Sequence, residues 1–176
     1  KENNLAYHLD GARVFNAMVA KGESPEQYGA IFDSISICLS KGLGCPVGSL
    51  ILGTKDFIKQ AKRVRKKFGG GWRQAGFLAA AGIYALDNHI ERLAEDHAKA
   101  KRLADALQNA SFVKEVIAPE TNIVIFKVED GDRIIQKFLE NNISIIAMAN
   151  NMLRMVTHLD VSNEQIDQTI QIIESI

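Results

Sequence analysis

A lysine amine can condense with an aldehyde to form a Schiff base, and Lys41 stands where such chemistry could be built. An apolar run at residues 35–39 leads into Ser40, Lys41, Gly42, Leu43 and Gly44, and a second apolar run at residues 49–52 follows Pro46 and Gly48. The pattern predicts two short strands flanking one glycine-bordered lysine. Between two buried strands a lysine loses hydration, which disfavours its charged form and favours the nucleophilic amine. The neighbouring glycines leave room for a planar cofactor against the backbone. The plain alternative is a loop lysine that faces solvent.

Two further residues carry chemistry. Residues 5–10 read as a strand that ends in the carboxylate of Asp10, followed by Gly11, Ala12 and Arg13 and a helical segment through Val14, Ala17 and Met18. In an open α/β sheet the residue at the carboxyl end of a strand faces the crevice where ligands bind. The alternative for Asp10 is to cap the next helix, accepting from the amides of residues 12 or 13. Arg154 lies inside the apolar run Met152, Leu153, Met155, Val156, where packing does not call for it. A guanidinium there wants a carboxylate, and a bidentate one suits its fork. An internal ion pair to Asp160 or a solvent-facing edge position would serve equally well.

The elements that must position these groups follow from local pattern. Ser24, Pro25, Glu26 and Gln27 form a capping box with proline at the first helical position. Thr54 opens a helix with Phe57, Ala61, Val64 and Phe68 at helical spacing, and Lys59, Lys62, Arg63, Lys66 and Lys67 on its other face. That charge run reads as a solvated face, with a subunit contact or an anion site as alternatives. Gly69, Gly70 and Gly71 stop the helix and alone are a weak phosphate-loop signal. The helix at 75–86 is apolar on nearly every side, so it should be buried or lie in a subunit interface. A long amphipathic helix at about 90–109 follows, in which His97 reads as a packed residue. Strands at 112–117, 122–128, 143–147 and 153–157, a helix at 130–141 and a last helix capped by Ser162 and Gln165 make a small α+β domain. The expected division is 1–108 and 109–176.

Composition narrows the class. The 176 residues are 47% hydrophobic, enough to bury a core. Lys plus Arg and Asp plus Glu number 21 each, which argues against nucleic acid or an acidic membrane as the main partner. Cys38 and Cys45 are too few for a disulfide framework and are expected to be reduced packing residues of a cytoplasmic protein. No metal site is expected, because no cluster has ligand spacing. The chain enters a strand almost at once, which reads as a piece of something larger.

The run His8 to Arg13 followed by Leu39 to Gly44 and Pro46 to Ser49 resembles the β-eliminating lyase and threonine aldolase group of fold-type I pyridoxal-phosphate (PLP) enzymes. The segments Gly69 to Gly76 and Arg154 to Val161 narrow the resemblance to the low-specificity L-threonine aldolases. Trp72 stands where methionine is the more usual residue. The resemblance implies an α/β fold: the carboxyl-terminal part of a PLP-binding large domain, plus a small α+β domain.

By the same resemblance, Lys41 is the lysine that carries PLP, and Asp10 pairs with the ring nitrogen. Arg13 and Arg154 hold the substrate carboxylate, with Arg13 also near the cofactor. Arg73 and Lys66 lie near a site in a neighbouring subunit of a homotetramer. The implied reaction is retro-aldol cleavage of threonine or allo-threonine to glycine and acetaldehyde. The alternatives are another fold-type I amino acid lyase, or a chain without catalysis that acts as an oligomerisation module. The amino-terminal half of such enzymes supplies the phosphate-binding loop and a histidine that stacks on the ring, and neither is present in this sequence. Each missing charge-assisted hydrogen bond is worth about 1.5–3 kcal/mol, so this chain alone is expected to hold PLP weakly.

Overall fold

The computed structural model describes Asn3 and residues 5–176, which form two compact units, Lys1–Glu91 and Arg92–Ile176. In the first unit the elements run β1 (His8–Gly11), α1 (Val14–Lys21), α2 (Pro25–Ile31), β2 (Ser34–Cys38), β3 (Ser49–Gly53), α3 (Lys55–Lys67) and α4 (Gly76–Asn88). The strands lie in the order β1-β2-β3, with β1 and β2 parallel and β2 and β3 antiparallel.

Strand alternation sorts this sheet into two faces. Ile35 and Ile37, with Leu9 beside them, pack on Val14 and Met18 of α1. His8, Asp10, Ser34 and Ser36 occupy the alternate positions, with His8 opposite Ser34 and Asp10 opposite Ser36. The His8 Nδ1 and Ser34 Oγ are 2.8 Å apart. Gly11 is required by contact: a Cβ there would sit 2.7 Å from the Ser36 carbonyl oxygen. Helix α2 starts as its sequence predicts, with the Ser24 N–H donating to Gln27 Oε1 at 2.7 Å.

Helices α3 and α4 form where periodicity places them, but their apolar faces stay uncovered. Thr54 caps α3 by accepting from the Phe57 N–H at 3.3 Å, and Gly69 ends it in the left-handed conformation at φ 85°. No residue of α3 is buried, and Phe68 is 87% exposed. In α4 only Gly82 and Ala85 are buried, while Phe77, Ile83 and Tyr84 are exposed. The expected burial of this helix is therefore not met within this chain. Strand β3 is exposed along its whole length, so Lys41 does not lie between two buried strands either.

The second unit runs α5 (Leu93–Gln108), β4 (Val113–Ile117), β5 (Ile123–Val128), α6 (Gly131–Glu140), β6 (Ile146–Ala147), a 3-10 turn (Ala149–Asn151), β7 (Met152–Val156) and α7 (Asn163–Ser175). Its antiparallel sheet has the order β4-β5-β7-β6. Leu103 and Leu107 of α5, Phe138 of α6, and Ile166 and Ile173 of α7 bury against Val124, Phe126 and Leu153 of the sheet. Helix α5 thus belongs to this unit, whereas the sequence reading grouped it with the first. The strand expected at 143–147 shortens to two residues. Asn142 turns the chain at φ 59°, and Ile143 and Ile145 pack against the core ahead of β6.

Buried polar groups tie α5 to the chain after β7. The Asp96 carboxylate is fully buried and accepts from Arg92 at 2.6 and 3.1 Å. Thr157 Oγ1 donates to the Asp96 carbonyl at 2.7 Å, and Asn122 Nδ2 donates to the Thr157 carbonyl at 2.8 Å. Lys99, nearly buried, donates to the Val161 carbonyl at 2.7 Å. Satisfying these donors keeps their burial from being destabilising. Among the described residues no helix is long and apolar enough to cross a membrane.

Phe126 makes no contact with solvent, so Phe126→Ala should cost about 3–5 kcal/mol in urea unfolding followed by the helical signal of the second unit. A loss below about 1 kcal/mol would contradict the packed core. His97 gives a pH signature. Burial pushes its imidazole below its ordinary value, with Asp96 opposing more weakly. The unfolded chain therefore takes up the proton more readily than the folded one. The neutral ring's contribution is present above about pH 6.5 and is lost as pH falls through the depressed folded value. The stability gap between wild type and His97→Gln should narrow between pH 7.5 and pH 5.5, and an unchanged gap would reject the assignment.

Candidate active site

Lys41 sits on a loop closed by its own backbone. The Leu39 N–H donates to the Gly48 carbonyl at 3.0 Å, and the Cys45 N–H donates to the Leu39 carbonyl at 3.1 Å. Leu39 therefore pins both ends. Within that frame the Gly44 N–H donates to the Lys41 carbonyl at 2.9 Å, and Gly44 takes φ 71°. The result is a turn over residues 41–44 with a positive-φ glycine at its end.

Burial then fixes the loop against α4. Leu39, Leu43 and Cys45 are buried, and Leu43 is only 3% exposed. A Cβ on Gly82 of α4 would lie 3.3 Å from Leu39 Cδ1, so the small residue lets the helix approach. The Cys45 thiol donates to the Ala81 carbonyl at 3.7 Å, and burial pushes this thiol up from its ordinary value. Both cysteines are free, with Cys45 buried and Cys38 half-buried. Lys41 itself is exposed on this platform. The desolvation expected from two buried strands is absent in this chain, because β3 leaves its faces open.

Asp10 is the third residue of β1 and is exposed, and its carboxylate has no hydrogen bond or ion pair among the described residues. It does not cap the following helix. The N-cap of α1 is Arg13, and no side chain caps that end. Strands β1 and β2 are parallel, so Asp10 and the loop that leaves β2 toward Lys41 both lie at the carboxyl ends of the pair. Ligands bind at that end of such a sheet. Arg13 is half-buried at the start of α1, in the same connection.

In the second unit Arg154 lies on β7, with Ile125 of β5 and Ile146 of β6 as its cross-strand partners. It is thus on an inner strand, not an edge. Asp160 instead faces His158 at 3.4 Å. The Arg154 Nε is buried and meets no hydrogen-bond partner among the described residues. Neither an internal ion pair with Asp160 nor an edge position accounts for this arginine. The strand is held in place by Asn151, whose Nδ2 donates to the Glu129 carbonyl at 2.9 Å and whose Oδ1 accepts from the Gly131 N–H at 3.4 Å.

Arg73 is exposed in the connection between α3 and α4. Lys66 is exposed on the last turn of α3, where its side chain lies over Gly71. They share the region around the three glycines and lie outside the Lys41 turn. One residue was passed over by sequence reasoning: His89, at the end of α4, has its Nδ1 2.7 Å from the Leu43 carbonyl oxygen. The only local signal was its position just past an apolar helix.

The family model for beta-eliminating lyases matches residues 1–131. The chain is 47% identical over 167 residues to the low specificity L-threonine aldolase of Escherichia coli strain K12, covering 94% of this chain and 49% of that protein. It is 40% identical over 176 residues to low-specificity L-threonine aldolase 1 of Arabidopsis thaliana, covering 97% and 49%. The chain spans about half the length of the curated relatives it matches. Among solved structures, the Leishmania major threonine aldolase superposes with a TM-score of 0.77 at 17% identity, covering 99% of this chain and 52% of that one. The histidinol-phosphate aminotransferase of Clostridium acetobutylicum gives 0.68 at 16%, covering 99% and 55%. Such neighbours share the fold-type I architecture of PLP enzymes, as the sequence led one to expect. With most of its length matched by one family model and close relatives bearing one name, the chain belongs to the beta-eliminating lyase family.

Proposed function

We propose that this chain supplies the lysine-bearing part of a PLP-dependent lyase that cleaves threonine and allo-threonine to glycine and acetaldehyde. The observation that carries the reading is the placing of an anchored, exposed Lys41 with an Asp10 carboxylate that has no partner among the described residues, both at the carboxyl ends of β1 and β2. The names of the relatives, low-specificity L-threonine aldolases, support the choice of substrate.

The residues fit the cofactor by donor chemistry. Lys41 offers a primary amine for the aldehyde carbon, and Asp10 offers a carboxylate that keeps a ring nitrogen protonated. When bound, the cofactor supplies an electron sink for the pair left at Cα as the Cα–Cβ bond breaks. Arg154 brings a guanidinium whose Nε has no partner among the described residues, which suits bidentate capture of the substrate carboxylate. Arg13 is proposed to share that task and to lie near the cofactor. Holding the carboxylate fixes which bond at Cα is aligned for cleavage, an orientation effect drawn from binding. Arg73 and Lys66 are assigned to a neighbouring subunit's site. The exposed apolar residues of α3, α4 and β3 are assigned to contacts with the remainder of the fold and with other subunits of a homotetramer. Those same residues favour the second reading, an oligomerisation module without catalysis.

Two measurements test this. Co-refolding the chain with the amino-terminal half of the Escherichia coli relative, with PLP present, should give glycine from threonine, and Lys41→Ala should abolish it. Arg154→Lys should raise KM about tenfold or more, the equivalent of one charge-assisted hydrogen bond. Ammonia released from serine without glycine from threonine would move the assignment to another lyase, and stable self-association with neither product would favour the module. Gly11→Ala should lower stability by about 1–3 kcal/mol, because its methyl group meets the Ser36 carbonyl and pushes β1 from β2. The same change should weaken PLP binding through Asp10, and wild-type stability with wild-type affinity would show that the close approach is unimportant.

A further inference from the structure

The turn that carries Lys41 is gripped from outside by one side chain, the imidazole of His89. His89 is the C-cap of α4, with its backbone N–H on the Ala85 carbonyl at 2.8 Å. Its ring meets Tyr84 edge-on, with centroids 5.4 Å apart at 88°. Backbone and ring are thus both fixed. The ring Nδ1 stands 2.7 Å from the Leu43 carbonyl oxygen. A carbonyl only accepts, so Nδ1 carries the proton.

Leu43 is the third residue of the 41–44 turn closed by the Gly44 N–H on the Lys41 carbonyl. Its side chain is buried, so rotating the peptide away from His89 would also disturb packing. The other ties from the loop to α4, at Leu39 and Cys45, lie on either side of the turn. We infer that His89 is a positioning residue for Lys41: its Nδ1–H, held by α4, fixes the peptide plane of Leu43 and so presents the amine in one place. This rests on the reading of Lys41 as the carbonyl-reactive lysine. A fixed amine approaches an aldehyde without first losing loop freedom, which is where orientation contributes to rate.

The test is site-resolved and does not need a working enzyme. The chain is treated with PLP, trapped with borohydride at short times, and digested, and the adduct rate at Lys41 is divided by that at Lys101, an exposed lysine of α5. His89→Phe keeps a ring against Tyr84 and removes the donor. His89→Asn places an amide N–H near the position of Nδ1. The expected result is a ratio well above one in wild type, lowered about five- to tenfold in His89→Phe, the scale of one net hydrogen bond, and largely restored in His89→Asn. A purely structural role would not be rescued at Lys41 alone.

An unchanged ratio in a folded His89→Phe chain overturns the inference and leaves the Lys41 reading intact. A ratio near one in wild type removes the Lys41 reading, and the inference with it. If His89→Phe fails to fold, nitrogen-15 spectra of the wild-type ring decide the matter. A protonated Nδ1 sustains the inference, and a bare Nδ1 with the proton on Nε2 overturns it.

Discussion

The first unit depends on Leu39 being bonded on both sides of its peptide. Its N–H reaches Gly48 and its carbonyl receives Cys45, so the ten-residue excursion from β2 toward β3 is held as a closed loop. The side chain of Leu39 then fills the space left by Gly82, which seats that loop on α4. Everything proposed for Lys41 follows from this seat, since an amine on an unsupported loop would have no fixed direction. The loop turns Leu39, Leu43 and Cys45 inward and leaves Ser40 and Lys41 outward, a division set by packing.

The two units are unequal as folded bodies. The second has a sheet covered by α5, α6 and α7 and a core with fully buried Phe126 and Phe138. Its buried Asp96 is paired with Arg92, and its buried Lys99 is bonded to the Val161 carbonyl. The first has one sheet face closed by α1, while Phe68, Phe77 and Ile83 stand in solvent. Apolar surface on that scale is the mark of a face made to be covered. The chain spans about half the length of the curated relatives it matches.

Arg154 is half-buried on its strand, with a buried Nε that meets no acceptor among the described residues. It lies on an inner strand between Ile125 and Ile146, where no ion pair or edge position accounts for it. Orphaned donors of this kind are costly and persist where a ligand completes them. Asp10 is exposed at the end of β1 and does not take up helix capping, the ordinary employment of an aspartate before a helix.

The sequence by itself determined the elements and their ends: the Ser24 and Ser162 boxes, the Thr54 cap, the glycine stop after α3, and the strands on either side of Lys41. These are local, because a cap or a turn is decided by residues within one turn of chain. The strands and the turn that carry Asp10, Lys41 and Arg154 were legible for the same reason. Tertiary structure alone decided that α5 packs with the second unit, that Ile143 and Ile145 reach the core ahead of β6, and that β3 and α4 remain open. It alone joined His89 to Leu43, 46 residues earlier in the chain. No periodicity encodes such a contact, because it depends on where a helix end comes to rest against a loop, and only packing fixes that.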